Sequence, residues 1–174
     1  MAGLVAAALT TVGFLAYQAS ASAPAGLGDP RAPRGAATAD ARQGPRDPLA
    51  LPPDSGSGTR VVYALEGRRV WLVGERNRVA RTFAVMPSTV NPPPGAYVVT
   101  SRSGRVHGSD GVTIEHVVRF ASVDDVVVGF SAALDGSMAS PDPERQTGGV
   151  RMKRADGKSM WRFATIGSKV VVVG

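Results

Sequence analysis

The sequence predicts a mainly β protein: a small antiparallel β-sandwich with one short helix, preceded by a signal or anchor segment and a disordered linker. Three observations carry this. Valine-rich, β-branched runs recur after residue 59, at Val61–Val62, Val98–Thr100, Val112–Ile114, Val117–Val118, Val126–Val128 and Val170–Val173. Such residues suit the pleated, half-buried surface of a strand. Short polar turns separate the runs, at Glu66–Gly67, Ser103–Gly104, Ser109–Gly111, Val123–Asp125 and Leu134–Gly136, so the chain keeps reversing over short distances. Helical spacing of apolar residues occurs once, over Arg154–Ala164, where Ala155, Met160, Trp161, Phe163 and Ala164 share a face and Gly157 is the weak point.

In chain order, residues 1–23 read as an export signal. Leu4–Tyr17 is uncharged and mostly apolar, and the overlapping triplets Ala19-Ser20-Ala21 and Ala21-Ser22-Ala23 are small-residue cleavage sites. No basic residue precedes the apolar run, so either the start lies upstream or the signal is a weak one, and an uncleaved membrane anchor is the competing reading. The run is short against the ~20 residues that span a bilayer. Residues 24–58 form a linker with seven prolines and almost no large apolar side chain. A segment of that composition buries too little surface to offset its ordering entropy.

The folded domain is expected over residues 59–174. Thr59–Val73 alternates apolar residues on both sides of Glu66–Gly67, a hairpin pattern. Val79–Met86 follows as a strand, then the turn Asn91-Pro92-Pro93-Pro94-Gly95-Ala96-Tyr97 and a strand over Tyr97–Ser101. Ile114–Phe120 and Val126–Ser131 are further strands.

The net charge of +6 falls wholly on this domain: the linker holds four Arg and four Asp, the domain sixteen Lys or Arg against ten Asp or Glu. A basic surface favours polyanions such as anionic wall polymers. Without a lysine-rich tract or interleaved aromatic residues, nucleic acid is not an expected partner. The chain has no cysteine, which excludes disulfides, thiol catalysis and cysteine-ligated metal. The two histidines, His107 and His116, have no metal-ligand spacing. No phosphate loop or dinucleotide fingerprint is present, so no cofactor is expected.

The segment Gln146-Thr147-Gly148-Gly149-Val150-Arg151-Met152 resembles the Ser-His-Gly-Cys-x-Arg loop of L,D-transpeptidase catalytic domains. The turn at Asn91–Tyr97 is similar to that family's Thr-Pro-x-Gly-x-[Phe/Tyr] turn. Val126–Ser131 stands where the family has an apolar strand ending in His-Gly, and fourteen residues separate Ser131 from Gln146. The resemblance runs over residues 59–174 and implies the sandwich fold and a peptidoglycan-related role. In the family a cysteine attacks a peptide carbonyl, a histidine takes its proton and backbone amides hold the oxyanion. Here Ser131, Thr147 and Gly149 occupy the positions of the two histidines and the cysteine. The resemblance therefore implies a degenerate member without thiol chemistry.

What the loop retains is Gly148, Gly149 and Arg151, a set able to cradle a carboxylate or carbonyl. The simpler alternative is a tight turn with Arg151 packed on the sheet. A hydroxyl nucleophile, Ser131 or Thr147, would need His107 or His116 as a base. Strict strand alternation puts Glu115 and His116 on opposite faces, so they would not support each other. Asp135, Asp142 and Glu144 lie in the preceding loop and are candidate groove residues. Trp71, Phe83, Trp161 and Phe163 are candidate platform aromatics, with core packing as the alternative. Three functions follow: an exported, inactive module binding peptidoglycan or a cell-wall partner; an altered, hydroxyl-based enzyme; or a structural platform for another exported protein. The membrane enters only through an uncleaved N-terminal segment.

Overall fold

A computed structural model of the chain describes residue 47 and residues 49–174. The expected signal or anchor segment and the linker up to residue 46 lie outside the described residues. The strands are β1 (Arg60–Ala64), β2 (Arg69–Val73), β3 (Val79–Ala84), β4 (Gly95–Val98), β5 (Ser101–His107), β6 (Thr113–Val123), β7 (Val126–Ala133), β8 (Gly149–Met152) and β9 (Lys169–Val173). Helix α1 (Arg154–Phe163) lies between the last two, and a 3-10 turn spans Glu75–Asn77.

Two sheets form, with strand orders β3-β2-β1-β9-β4 and β5-β6-β7-β8. Most neighbours are antiparallel, but β1 runs parallel to β9 and β7 parallel to β8. Both sheets are therefore mixed rather than purely antiparallel. The reason is connectivity. Strand β8 reaches β7 only after a long loop, which returns it in the same direction, and parallel neighbours need such a crossover.

The hairpin of β1 and β2 and the helix follow the sequence pattern closely. The β6–β7 hairpin turns through Asp124 and Asp125, both at positive φ (46° and 63°), with Val123 paired to Val126. Two positive-φ central residues give the turn whose twist matches that of antiparallel strands. Two expectations are corrected. Ser103–Gly104 is no turn but lies within β5, because Arg102, Ser103 and Arg105 pair with Val118, Val117 and Glu115 of the long strand β6. The strand expected over Tyr97–Ser101 is split at Val99–Thr100. Val99 donates its N–H to Ser168 O (2.9 Å), beside the first sheet, and Thr100 donates to Arg119 O (2.9 Å) in the second. The chain changes sheet there.

Val61, Tyr63, Val70 and Leu72 of the first sheet meet Val118, Phe120, Val128, Phe130, Val150 and Met152 of the second, with Met160 and Ala164 closing the end. Tyr63 stands edge-on to Phe130 at 5.7 Å, an arrangement that adds about 0.5–1.5 kcal/mol beyond area burial. Gly157 is no flaw in α1. A side-chain carbon there would lie 3.0 Å from Ala132 Cβ, so glycine lets the helix settle onto β7.

The outer face of the first sheet is also covered. Val62, Ala64, Trp71 and Val73 pack beneath Leu51, and Trp71 Nε1 donates to Leu49 O at 2.9 Å. Arg60, 1% exposed, anchors the same segment. Its Nε donates to Ser55 O (2.6 Å) and its Nη1 to Gly58 O (2.6 Å) and Asn77 Oδ1 (2.8 Å). The folded unit thus begins before the boundary expected at residue 59, because carbonyls of the supposed linker satisfy a buried guanidinium.

Two predictions follow from these buried groups. Starting the chain at residue 59 instead of 47 strips Arg60 of its acceptors at residues 55 and 58. Since a hydrogen bond to a charged group contributes about 1.5–3 kcal/mol, urea unfolding should show a loss of at least ~2 kcal/mol. The Tyr63 hydroxyl is buried without a partner, and burial pushes it up to about 12. A phenol held neutral in the fold supports stability fully below pH ~10 and loses that support as pH rises toward 12. Tyr63→Phe should abolish this alkaline loss and leave neutral-pH stability equal or higher by ~1 kcal/mol, read from thermal melts at pH 7 to 12.

Candidate functional site

Strands β6, β7 and β8 carry the floor of a groove of about 370 Å³, walled by the β5–β6 loop and by the loop leading into β8. Ser131, Thr147, Gly148, Gly149 and Arg151 all line it. The parallel pairing of β7 with β8 brings these positions together. Gly129 lies opposite Gly149 and Ser131 opposite Arg151, and Gly129 N–H donates to Gly148 O at 3.0 Å.

Gly148 is required by close approach. A side-chain carbon there would lie 2.1 Å from Val127 O and 2.8 Å from its carbonyl carbon. Gly149 is different. A side-chain carbon at 149 would meet one heavy atom within 4 Å, Ser131 Oγ at 3.9 Å. The place where the resemblance puts a thiol is therefore sterically open, and it adjoins the place where the resemblance puts a histidine.

Thr147 is buried and used structurally. Its Oγ1 lies 2.9 Å from Ser88 Oγ, its N–H donates to Thr89 Oγ1 at 2.9 Å, and its carbonyl accepts the Val90 N–H at 3.0 Å. The Ser88 hydroxyl also donates to Thr147 O. Thr89 Oγ1 donates to Arg145 O at 2.7 Å, so residues 88–90 stitch the loop down along the groove. Arg151 exchanges backbone hydrogen bonds with Met86, each 2.8 Å. Its side chain does more than pack on the sheet. Nη2 donates to Asp110 Oδ2 at 2.5 Å, while Nη1 is buried without a partner, as is Ser131 Oγ.

The two histidines lie in different surroundings. His107 ends β5 on the groove wall, 3.4 Å from Thr113 Oγ1. His116 adopts φ 54° at a register shift between Glu115 and Val118. This bulge breaks strand alternation and overturns the expectation of opposite faces: His116 Nδ1 lies 3.8 Å from Glu115 Oε1. The imidazole instead packs near Trp161, 5.8 Å between ring centroids. Neither imidazole is hydrogen-bonded to Ser131 or Thr147. Glu115 accepts from Arg154 Nε at 2.6 Å, and that hydrogen bond holds its carboxyl below the ordinary glutamate range.

Among the loop carboxylates, Asp142 lines the groove and accepts the Glu144 N–H at 3.0 Å. Asp135 and Glu144 do not line it, and the Ser137 N–H bonded to Asp135 holds that carboxyl below its usual value. The candidate platform aromatics are elsewhere. Phe83 is in the main core, Trp71 under the outer-face cover, and Trp161 and Phe163 against the core edge. Arg102 stacks over the Trp161 ring at 3.7 Å. Among the described residues no group of three or more His, Asp or Glu is placed to hold a metal. Sequence reasoning missed Asp110, Ser88 and Thr89. Each meets its partner across more than forty residues of chain, and nothing local marks it.

No family model matches the sequence, and no curated protein matches it. The fold is more telling. It superposes on an L,D-transpeptidase from Stackebrandtia nassauensis with a TM-score of 0.53 at 19% identity, over 68% of this chain and 56% of that one. For L,D-transpeptidase 1 from Mycobacterium tuberculosis the values are 0.51, 18%, 68% and 63%. The chain has the L,D-transpeptidase catalytic-domain fold. It spans little more than half of the first of these structures, yet 98% of the isolated catalytic domain from E. faecium, with a TM-score of 0.50 at 17% identity over 68% of this chain. On this frame Gly148 is required by close approach, whereas position 149 has room for a side chain.

The two glycines should respond differently. Gly148→Ala should cost about 3 kcal/mol or prevent folding, since overpacking against rigid backbone costs roughly 1–3 kcal/mol or more. Gly149→Ala should stay within ~1 kcal/mol of the parent. Urea unfolding of the two variants side by side reads the difference.

Proposed function

We propose that this chain is an exported, catalytically inactive domain of L,D-transpeptidase fold that binds peptidoglycan, or a cell-wall partner bearing similar groups, in the β6–β7–β8 groove. The observation that carries the reading is the contrast at residue 149. The groove and its loop are built, but the side chain beside Ser131 is absent, and no cysteine exists elsewhere in the chain to replace it. Binding without acyl transfer is what such a groove can still do, because recognition needs the backbone and Arg151 whereas reaction needs a nucleophile and a base. Export rests on the Leu4–Tyr17 apolar run and the two Ala-x-Ala sites. The structures of similar fold, named as L,D-transpeptidases, support a cell-wall setting for this one.

Co-sedimentation with purified peptidoglycan sacculi, with and without their anionic polymers, tests this across a salt series. The expected result is binding to stripped sacculi that persists at high salt and falls at least about tenfold in Arg151→Met, since removing one charged hydrogen-bonding group costs about 1.5–3 kcal/mol. Binding confined to unstripped sacculi and lost with salt would reduce the interaction to the basic surface. Absence of binding to either would sink the peptidoglycan reading.

A further inference from the structure

Two buried donors on the groove floor have no acceptor: Arg151 Nη1 and Ser131 Oγ. They belong to residues in register on adjacent strands, so both side chains rise from the same face of the sheet. Gly149, two residues before Arg151, lies on that face too and adds no side chain, leaving open space beside Ser131 Oγ. A guanidinium presents a planar fork suited to both oxygens of one carboxylate. Here the fork is half used. Asp110 gives Arg151 only Oδ2 (2.5 Å), because its Oδ1 accepts the Val112 N–H at 3.1 Å. Of the pair, Asp110 is the accessible member, 35% exposed against 11% for the Arg151 side chain. It sits on a short loop that turns at Gly111 with φ 83°.

We infer that Arg151 and Ser131 form a carboxylate-binding subsite occupied internally by Asp110, and that the free C-terminal carboxylate of a peptide ligand displaces Asp110 to bind there. In the exchange Asp110 moves into solvent with its loop. The incoming carboxylate takes both guanidinium nitrogens and the Ser131 hydroxyl, satisfying two donors that Asp110 leaves unpaired. This inference rests on the proposed binding role of the groove and specifies which ligand group it grips.

The probe is N-acetyl-dialanine with a free carboxylate, compared with its C-terminal amide, titrated by calorimetry into the full chain and its Asp110→Asn and Ser131→Ala variants. Asp110→Asn keeps the loop's acceptor for Val112 while removing the competing charge. It should bind the free acid at least about tenfold more tightly than the parent does, as expected for a released charged hydrogen bond. Ser131→Ala should weaken acid binding several-fold, and the amide should bind none of the three proteins measurably. Equal binding of acid and amide, or no gain in Asp110→Asn, overturns the inference. Sacculus binding with equal acid and amide affinities would leave the wall-binding reading standing without this subsite. Acid-specific dipeptide binding without sacculus binding would leave the subsite standing and remove the wall as its source.

Discussion

The close approach of β8 to β7 at Gly148 is the contact on which the rest of the site depends. With a 2.1 Å gap between Val127 O and any side-chain carbon at 148, only glycine lets β8 enter beside β7. That entry sets the parallel register that puts Ser131 beside Arg151 and Gly149 beside Gly129. Gly129 repeats the device one strand over, since a side-chain carbon there would lie 2.8 Å from Val118 O of β6. The groove floor is three backbones drawn tightly together. Packing at this density leaves no room for compensation by side-chain rotation.

Around that floor, polar groups from distant segments do the positioning. Ser88 and Thr89 hold Thr147, Met86 pairs with Arg151 along the backbone, and Asp110 reaches Arg151 from another loop. Such a network specifies one arrangement, because a buried donor or acceptor without its partner is costly. Of the hydroxyls and imidazoles nearby, Ser131 Oγ has no partner and His107 stands on the groove wall. Thr147 is absorbed in the stitching and His116 is turned toward Trp161 by a bulge. The groove floor thus keeps two buried donors, Arg151 Nη1 and Ser131 Oγ, without acceptors.

Much of the fold was legible along the chain. The β1–β2 hairpin, the Asp124–Asp125 turn and helix α1 each follow from residues within about ten positions of one another. Thr147, Gly148, Gly149 and Arg151, singled out by their loop pattern, do gather with Ser131 in one groove. What failed locally failed for nonlocal reasons. Ser103–Gly104 is turn-like in composition but is held straight by β6. Strict alternation misplaced His116 because the bulge arises from the β6–β7 register. The stretch before residue 59 has few large apolar groups, yet Leu51 covers the outer face and the backbone carbonyls of Ser55 and Gly58 are what the buried Arg60 requires.

By itself the sequence determined the strand-rich character, the single helix, the excess of positive charge and the absence of cysteine, since these depend on composition and short-range periodicity. Only the tertiary structure decided that the sheets are mixed, that Asp110 caps Arg151, that the open position at 149 adjoins Ser131, and that Leu49–Gly58 belongs to the folded body. Each of these is a meeting of segments far apart in sequence or a satisfaction of buried polar backbone. Such meetings are set by chain closure and packing of the whole molecule, which no local propensity encodes.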